Sequence, residues 1–206
     1  MKKYGRTYHL PWSPGVTSDD KVLKHITRIL CGDDSVVTEK MDGENTTIYS
    51  GGTHARSVDG RHHPSRDWMK AYAAGISPML DENERIIGEY LYARHSIAYN
   101  DLESYFYGFA WIVDNVFQSW DDTVQRFESL GIIHVPVLYR GPLSESKLHE
   151  LEQTLDLDRQ EGYVVRCASA FTEEELAECV GKYVRENHVQ SDTHWMHAEI
   201  EKNQLK

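Results

Sequence analysis

The chain is poor in the residues that staple a small fold together. Only three of its 206 residues are cysteine, Cys31, Cys167 and Cys179. An odd number at spacings that match no thiolate motif excludes a disulfide framework and a zinc–thiolate site, and reduced thiols in a cytoplasmic protein are expected. No apolar run approaches the ~20 residues needed to cross a bilayer, so a soluble protein is expected. The basic start, Met1-Lys2-Lys3-Tyr4-Gly5-Arg6, is followed by no apolar stretch and does not read as a secretory signal. Basic residues are also scarce, 22 Lys and Arg against 33 Asp and Glu, for a net charge of −11. That excludes a uniformly basic nucleic-acid-binding surface, because each phosphate contact draws on a cation. Repeats and low-complexity segments are absent as well.

What remains is enough for a core: 40% hydrophobic residues, with Trp, Tyr and Phe spread along the chain, which suits one large domain. Strands are expected near 36–40, 45–50, 54–58, 85–92, 105–113, 135–139, 162–167 and 180–185. Helices are expected near 19–30, 66–75, 120–130, 145–155 and 193–204. Ser119-x-x-Asp122 and Thr172-x-x-Glu175 read as helix starts, and Pro136 confines its strand to an edge or a beginning. Strands arriving in runs with helices inserted between them indicate an α+β fold with antiparallel sheets. The turn-rich stretch from Arg6 to Gly15 is expected to be an ordered loop pinned by Trp12. The acidic residues gather at 81–84, 121–122, 144–161 and 173–175, and a local positive patch on an acidic body follows.

The segment Thr38-Glu39-Lys40-Met41-Asp42-Gly43-Glu44-Asn45 carries the most chemistry. β-Branched residues on both sides make two strands, and Asp42-Gly43 supplies a turn, so Lys40 stands at a strand end. An ordinary lysine, with a pKa near ~10.4, is almost wholly protonated at pH 7, so a nucleophilic Lys40 needs activation. Glu39 and Asp42 work against it, because nearby negative charge favours the ammonium. A divalent cation reverses that local sign.

Lys40-x-Asp42-Gly43 resembles motif I of the covalent nucleotidyltransferases, the polynucleotide ligases and RNA capping enzymes. Other segments match in order: Arg56-Ser57, sixteen residues after the lysine; Gly88-Glu89-Tyr90-Leu91-Tyr92-Ala93-Arg94-His95-Ser96-Ile97; Phe106-Tyr107-Gly108-Phe109-Ala110-Trp111; Glu161-Gly162-Tyr163-Val164-Val165-Arg166; and Val180-Gly181-Lys182-Tyr183-Val184-Arg185. On these matches, which span roughly residues 5 to 200, the chain is similar to the ATP-dependent RNA ligases in a minimal form. The resemblance implies a nucleotidyltransferase (ATP-grasp-like ligase adenylation) fold, two packed antiparallel sheets with peripheral helices and the nucleotide in the cleft between them. Residues 1–206 would form a single adenylation domain with no appended OB-fold.

The resemblance also implies roles. Lys40 would form a covalent lysyl–AMP with ATP and Mg²⁺ or Mn²⁺, assisted by Asp42, Glu161 and Lys182. Glu161 would hold the metal, Lys182 the α-phosphate and Glu89 a ribose hydroxyl. Phe109 would stack on the purine, although Tyr107, Phe109 and Trp111 also read as a core stripe sharing one strand face. Glu39 would read the adenine. Asn45 and Arg56 would hold phosphate, ribose or an RNA end, with Arg61 and Arg66 as alternatives for the RNA strand. The family often presents two lysines in its last motif; here Val184 takes the second place, leaving Arg185 as the stand-in. The partners implied are RNA 5′-phosphate and 3′-hydroxyl ends. The deficit of basic residues calls for a partner protein or an oligomer to supply further RNA contacts. A capping-type guanylyltransferase and a non-catalytic nucleotide- or RNA-binding module stay open as alternatives. The histidines His62, His63, His188, His194 and His197 lack partners at zinc spacing and read as surface residues.

Overall fold

The structure, a computed structural model, describes residues 2–30, 34–57, 63–186 and 200–206. Cys31, Arg61, His62, His188, His194 and His197 lie outside them. The early strands are β1 (Tyr8–His9), β2 (Ser35–Glu39), β3 (Glu44–Tyr49), β4 (Gly52–Ala55), β5 (Glu84–Tyr90) and β6 (Phe106–Val113). The later ones are β7 (Val116–Phe117), β8 (Ile133–His134), β9 (Val137–Gly141), β10 (Gly162–Cys167), β11 (Phe171–Thr172) and β12 (Val180–Val184). The helices are α1 (Thr27–Leu30), α2 (Asp67–Ile76), α3 (Trp120–Leu130), α4 (Glu145–Glu152) and α5 (Leu176–Cys179). The mixed α+β class expected from the sequence is what forms.

Two compact units divide the chain. The Lys40 unit takes Gly5–Met41 and Val135–Val189, and the Asp42 unit takes Met1–Tyr4, Asp42–His134 and Gln190–Lys206. The chain passes from one to the other inside the Lys40-x-Asp42-Gly43 motif.

In the Lys40 unit the sheet order is β1-β12-β10-β2-β9. Strands β12, β10, β2 and β9 are antiparallel, whereas β1 joins β12 in parallel, Tyr8 opposite Gly181 and His9 opposite Lys182. Its core gathers Leu10, Leu23, Ile29, Val37, Leu148, Tyr163 and Val165, and side-chain burial of this kind is worth about 1.5–3 kcal/mol for each large apolar residue. Pro136 stands one residue before β9, at the sheet edge, and its carbonyl accepts from Glu39 N.

In the Asp42 unit β7, β6, β5, β3 and β4 are neighbours in that order, antiparallel throughout, with β8 added parallel to β6. Helices α2 and α3 cover one face through Met69, Ala73, Ile76, Phe127 and Leu130 against Ile48, Ile86, Tyr90 and Phe106. Ser119 caps α3 by accepting from Asp122 N, and Thr172 and Glu175 form a reciprocal capping box at the turn before α5.

Four local expectations need correction. The helix expected over 19–30 is reduced to Thr27–Leu30, because His9 N and O pair with Lys21 O and Leu23 N and draw residues 21–23 into extended backbone. Pairing with β12 turns part of the predicted Arg6–Gly15 loop into β1. The strand expected near 54–58 is Gly52–Ala55, and Arg56 follows in a turn. The described end of the helix expected over 193–204 is extended: Ala93 bridges Lys202 and Leu102 bridges Leu205, while Asn203 accepts from Tyr99 N and donates to Leu91 O. Satisfying the backbone through tertiary partners outweighs weak local helix propensity.

Candidate active site

Register decides which side chains share a face, because cross-strand partners point the same way. In the Lys40 unit Thr38 faces Val164, Val164 faces Lys182, and Lys182 faces His9. Lys40, two residues beyond Thr38, continues that face, and its backbone N still donates to Gly162 O. The opposite face carries Val37, Val165 and Tyr163 into the core. A sheet face bearing Lys40, Lys182 and His9 is therefore built by alternation alone.

Two lysine–carboxylate pairs organise this face. Lys40 Nζ lies 2.5 Å from Glu161 Oε2, the lysine side chain 23% exposed and the glutamate 1%. A carboxylate so deeply buried must be paired, since desolvation of a lone charge is costly. Gly162, immediately after it, has φ +154°, and a Cβ there would come within 2.0 Å of Tyr183 O, so only glycine lets β12 pass this close to the Glu161 turn. Lys182 Nζ lies 3.7 Å from Asp20 Oδ1. His9, fully buried, stands beside them with Nε2 3.4 Å from Asp20 Oδ2. Burial first, then the positive charge of Lys182, pushes the His9 imidazole down to about 4, so it is neutral near pH 7.

Glu39 and Arg185 do not join this face. Glu39 is the register partner of Tyr163 and so points with the core residues; Gln160 Nε2 donates to its Oε2 at 2.9 Å, and burial raises its pKa. The carboxylate touching Lys40 is therefore Glu161 and not the sequence neighbour Glu39. Arg185 lies at the opposite parity from Lys182, and its guanidinium donates to Leu157 O at 2.5 Å. As a second phosphate cation beside Lys182 it is misdirected.

In the Asp42 unit Asn45, Glu89 and Tyr107 are register partners and share a face, as do Thr47, Ile87 and Ala110. Between Ile87 and Gly88 the pairing slips and Phe109 becomes the extra residue of a bulge. The bulge corrects the expected aromatic stripe: Trp111 pairs with Ile86 and packs on the helix-covered core, whereas Tyr107 lies on the Glu89 face. Phe109 also belongs to the Glu89 face. Its ring stands edge-on to Tyr4 with centroids 5.5 Å apart, and Tyr4 touches Phe117, which pairs with Ile112 on that side.

Asp42 is held by donors. Its Oδ2 accepts from Ser96 N and Ser96 Oγ, each at 2.7 Å, and from Ile97 N at 2.9 Å, while its own N donates to Tyr99 Oη at 2.9 Å. Glu89 Oε1 accepts from Gly43 N at 3.1 Å. A Cβ on Gly43 would approach Tyr90 O to 2.5 Å, which fixes glycine after Asp42. Arg66 is ion-paired to Glu44 at 2.6 Å, so its charge is committed within the unit. Arg56 is exposed, and its N donates to Asn45 O at 3.0 Å.

Sequence reasoning missed His9, Asp20, Gln160 and Tyr99, and it gave Ser96 no role within the Gly88–Ile97 match. Thr17-x-x-Asp20 is visible as a cap-like signal, but it closes a turn and starts no long helix. The others depend on pairing between distant segments.

Among the described residues no group of three or more His, Cys, Asp or Glu could hold a metal. A lone buried carboxylate such as Glu161 fits Mg²⁺ or Mn²⁺ only in the manner of an ion that brings phosphate oxygens as its other ligands. No helix among the described residues is long and apolar enough to cross a membrane.

The family model described as RNA ligase matches residues 33–184, most of the chain and both lysine–carboxylate pairs except Asp20. The chain belongs to the RNA ligase family. A search of curated proteins gave no match. Among solved structures, an archaeal ATP-dependent RNA ligase is similar at TM-score 0.60 and 18% identity, over 89% of this chain and 48% of that one. A Naegleria gruberi RNA ligase mutant without ligand gives TM-score 0.54 and 19% identity over 77% and 52%. A protein from Aquifex aeolicus assigned as an ATP-dependent DNA ligase gives 0.59 and 18% over 89% and 50%. The same Naegleria ligase, as another mutant, has been solved with ATP and Mn, at TM-score 0.52 and 17% identity over 77% and 52%. At these identities the likeness is one of fold, and the chain spans about half the length of these proteins.

Proposed function

We propose that the protein is an ATP-dependent RNA ligase that works through a covalent lysyl–AMP on Lys40. The observation that carries this reading is the Lys40 ammonium held against buried Glu161, on the sheet face that also bears Lys182. Family membership and similar folds in ligases, one of them solved with ATP and Mn, support it.

In the first step the Lys40 Nζ lone pair attacks the α-phosphorus of ATP, the bond to the bridging oxygen breaks, and pyrophosphate leaves. The attacking nitrogen must first lose a proton, and Glu161 Oε2 is the carboxylate in contact to accept it. Lys182 stabilises the charge that grows on the α-phosphate. Glu161 would hold a divalent cation, which would supply neutralisation of the triphosphate. Glu89 accepts from a ribose hydroxyl, Phe109 covers the purine, and Asn45 and Arg56 meet phosphate or an RNA end. Glu39, engaged with Gln160, reads the adenine only if that hydrogen bond is exchanged. Asp42 orders the turn that follows the nucleophile.

AMP then passes to an RNA 5′-phosphate, whose oxygen attacks the α-phosphorus as the N–P bond breaks. A 3′-hydroxyl attacks the activated 5′-phosphorus and expels AMP, leaving a phosphodiester for RNA repair or processing. A net charge of −11 implies weak, salt-sensitive grip on RNA and a partner or oligomer that adds contacts. A cytoplasmic setting is part of this proposal, supported by free Cys167 and Cys179.

The test is incubation with α-labelled ATP or GTP and Mg²⁺ or Mn²⁺, followed by denaturing electrophoresis. Label from ATP that survives denaturation and is absent from Lys40→Ala is the expected result. Stable label from GTP alone would establish the capping reading, and no covalent label from either nucleotide would favour the binding module.

A further inference from the structure

The Lys40 face carries a second charge device outside the family's matched segment. Asp20 closes a turn on Thr17, its Oδ2 accepting from Thr17 N at 3.1 Å and Thr17 Oγ1 at 2.8 Å. Its other oxygen, Oδ1, faces Lys182 Nζ at 3.7 Å, with both side chains nearly buried, at 11% and 13% exposed. His9 backs this carboxylate, and its tautomer can be read from its partners. Ser13 Oγ accepts from Val184 N at 2.9 Å, and its own proton is best placed for His9 Nδ1 at 2.8 Å, since Val184 O lies 3.5 Å away. His9 Nδ1 is then the acceptor, and Nε2 lies 3.4 Å from Asp20 Oδ2 without a hydrogen bond to it. A chain of contacts runs from the backbone of β12 through Ser13, His9 and Asp20 to the ammonium of Lys182 on that same strand.

We propose that Asp20 is the positioning residue for Lys182, with buried His9 packed behind it. The reason is electrostatic. Lys40 and Lys182 share one sheet face, and each has its own carboxylate, Glu161 and Asp20. Asp20 holds the second ammonium in place so that little reorganisation is needed when the α-phosphate arrives. A protonated imidazole would add a third cation to the face; the buried neutral ring fills that space without doing so. The catalytic meaning of this placement rests on the lysyl–AMP reading, and its structural meaning rests on these distances.

The experiment compares wild type, Asp20→Asn, Lys182→Arg and the double variant in single-turnover adenylation. Thr17→Val, which removes one hydrogen bond from Asp20 at an exposed turn, serves as a milder probe. Asp20→Asn is expected to slow the covalent step on the order of tenfold to a hundredfold, with the ATP concentration for half-maximal rate changed by less than about threefold. The double variant should be no slower than Lys182→Arg alone, and Thr17→Val should show a smaller loss of the same kind. An Asp20→Asn rate equal to wild type, or losses that multiply in the double variant, would overturn the assignment. If the wild type forms no covalent nucleotide, the ligase reading falls, and NMR of the lysine Cε–Nζ groups decides the positioning by itself. A Lys182 resonance shifted by Asp20→Asn supports it, and an unshifted one refutes it.

Discussion

The two units handle charge in opposite ways. The Lys40 unit places cations on one sheet face and gives each a mostly buried carboxylate, Glu161 for Lys40 and Asp20 for Lys182. The Asp42 unit gives one oxygen of its motif carboxylate three neutral donors, Ser96 N, Ser96 Oγ and Ile97 N, with His95 Nδ1 3.9 Å from the other, so that Asp42 orders a turn. One motif, Lys40-x-Asp42-Gly43, thus supplies the proposed nucleophile to one unit and a residue that orders a turn to the other. Adjacent positions in a short motif need not share a role; the environment that each enters decides.

The sharpest break of this contrast is at the lysines. Lys40→Ala, Glu161→Ala and Lys182→Ala are each expected to abolish adenylate formation while leaving circular dichroism unchanged, because under the proposed mechanism the first removes the nucleophile and the other two remove groups that act on charge developing in the transition state. Full label on Lys40→Ala would end the mechanism. Asp42→Ala should behave differently. It leaves three donors without their acceptor, and a loss of about 3 kcal/mol of stability is expected, read as a lower urea midpoint. An Asp42→Ala protein as stable as wild type but inactive would move Asp42 into the chemistry.

A titration sharpens the contrast further. His9 is pushed down to about 4 in the folded protein from 6.5. The unfolded chain therefore takes up this proton first as pH falls. The stability associated with neutral His9 is full above about pH 6.5 and is lost progressively toward pH 4, an effect on the order of 3 kcal/mol. Denaturant unfolding at a series of pH values should show that slope in wild type and a flatter one in His9→Asn. The smallest effects belong to stacking and to the misdirected arginine. Phe109→Ala should raise the ATP requirement several-fold with little change in maximal rate, since stacking binds ground and transition states alike. Arg185→Lys should leave adenylation within about twofold of wild type, because its guanidinium serves Leu157 O; a tenfold loss would return it to the phosphate.

The sequence by itself determined the mixed class, most strand positions, the turn after Lys40 and the ordered motifs that place the chain in its family. These are local properties: β-branched runs, turn residues and spacing. Tertiary structure alone decided which carboxylate meets Lys40, because Glu161 reaches it only through the β2–β10 pairing of segments more than a hundred residues apart. It also decided that alternation turns Glu39 and Arg185 away, that a bulge at Phe109 splits Tyr107 from Trp111, and that His9 draws residues 21–23 out of a helix. In each case the deciding energy lies in a register, a bulge or a buried charge that needs a partner from elsewhere in the chain, and no window of neighbouring residues contains it.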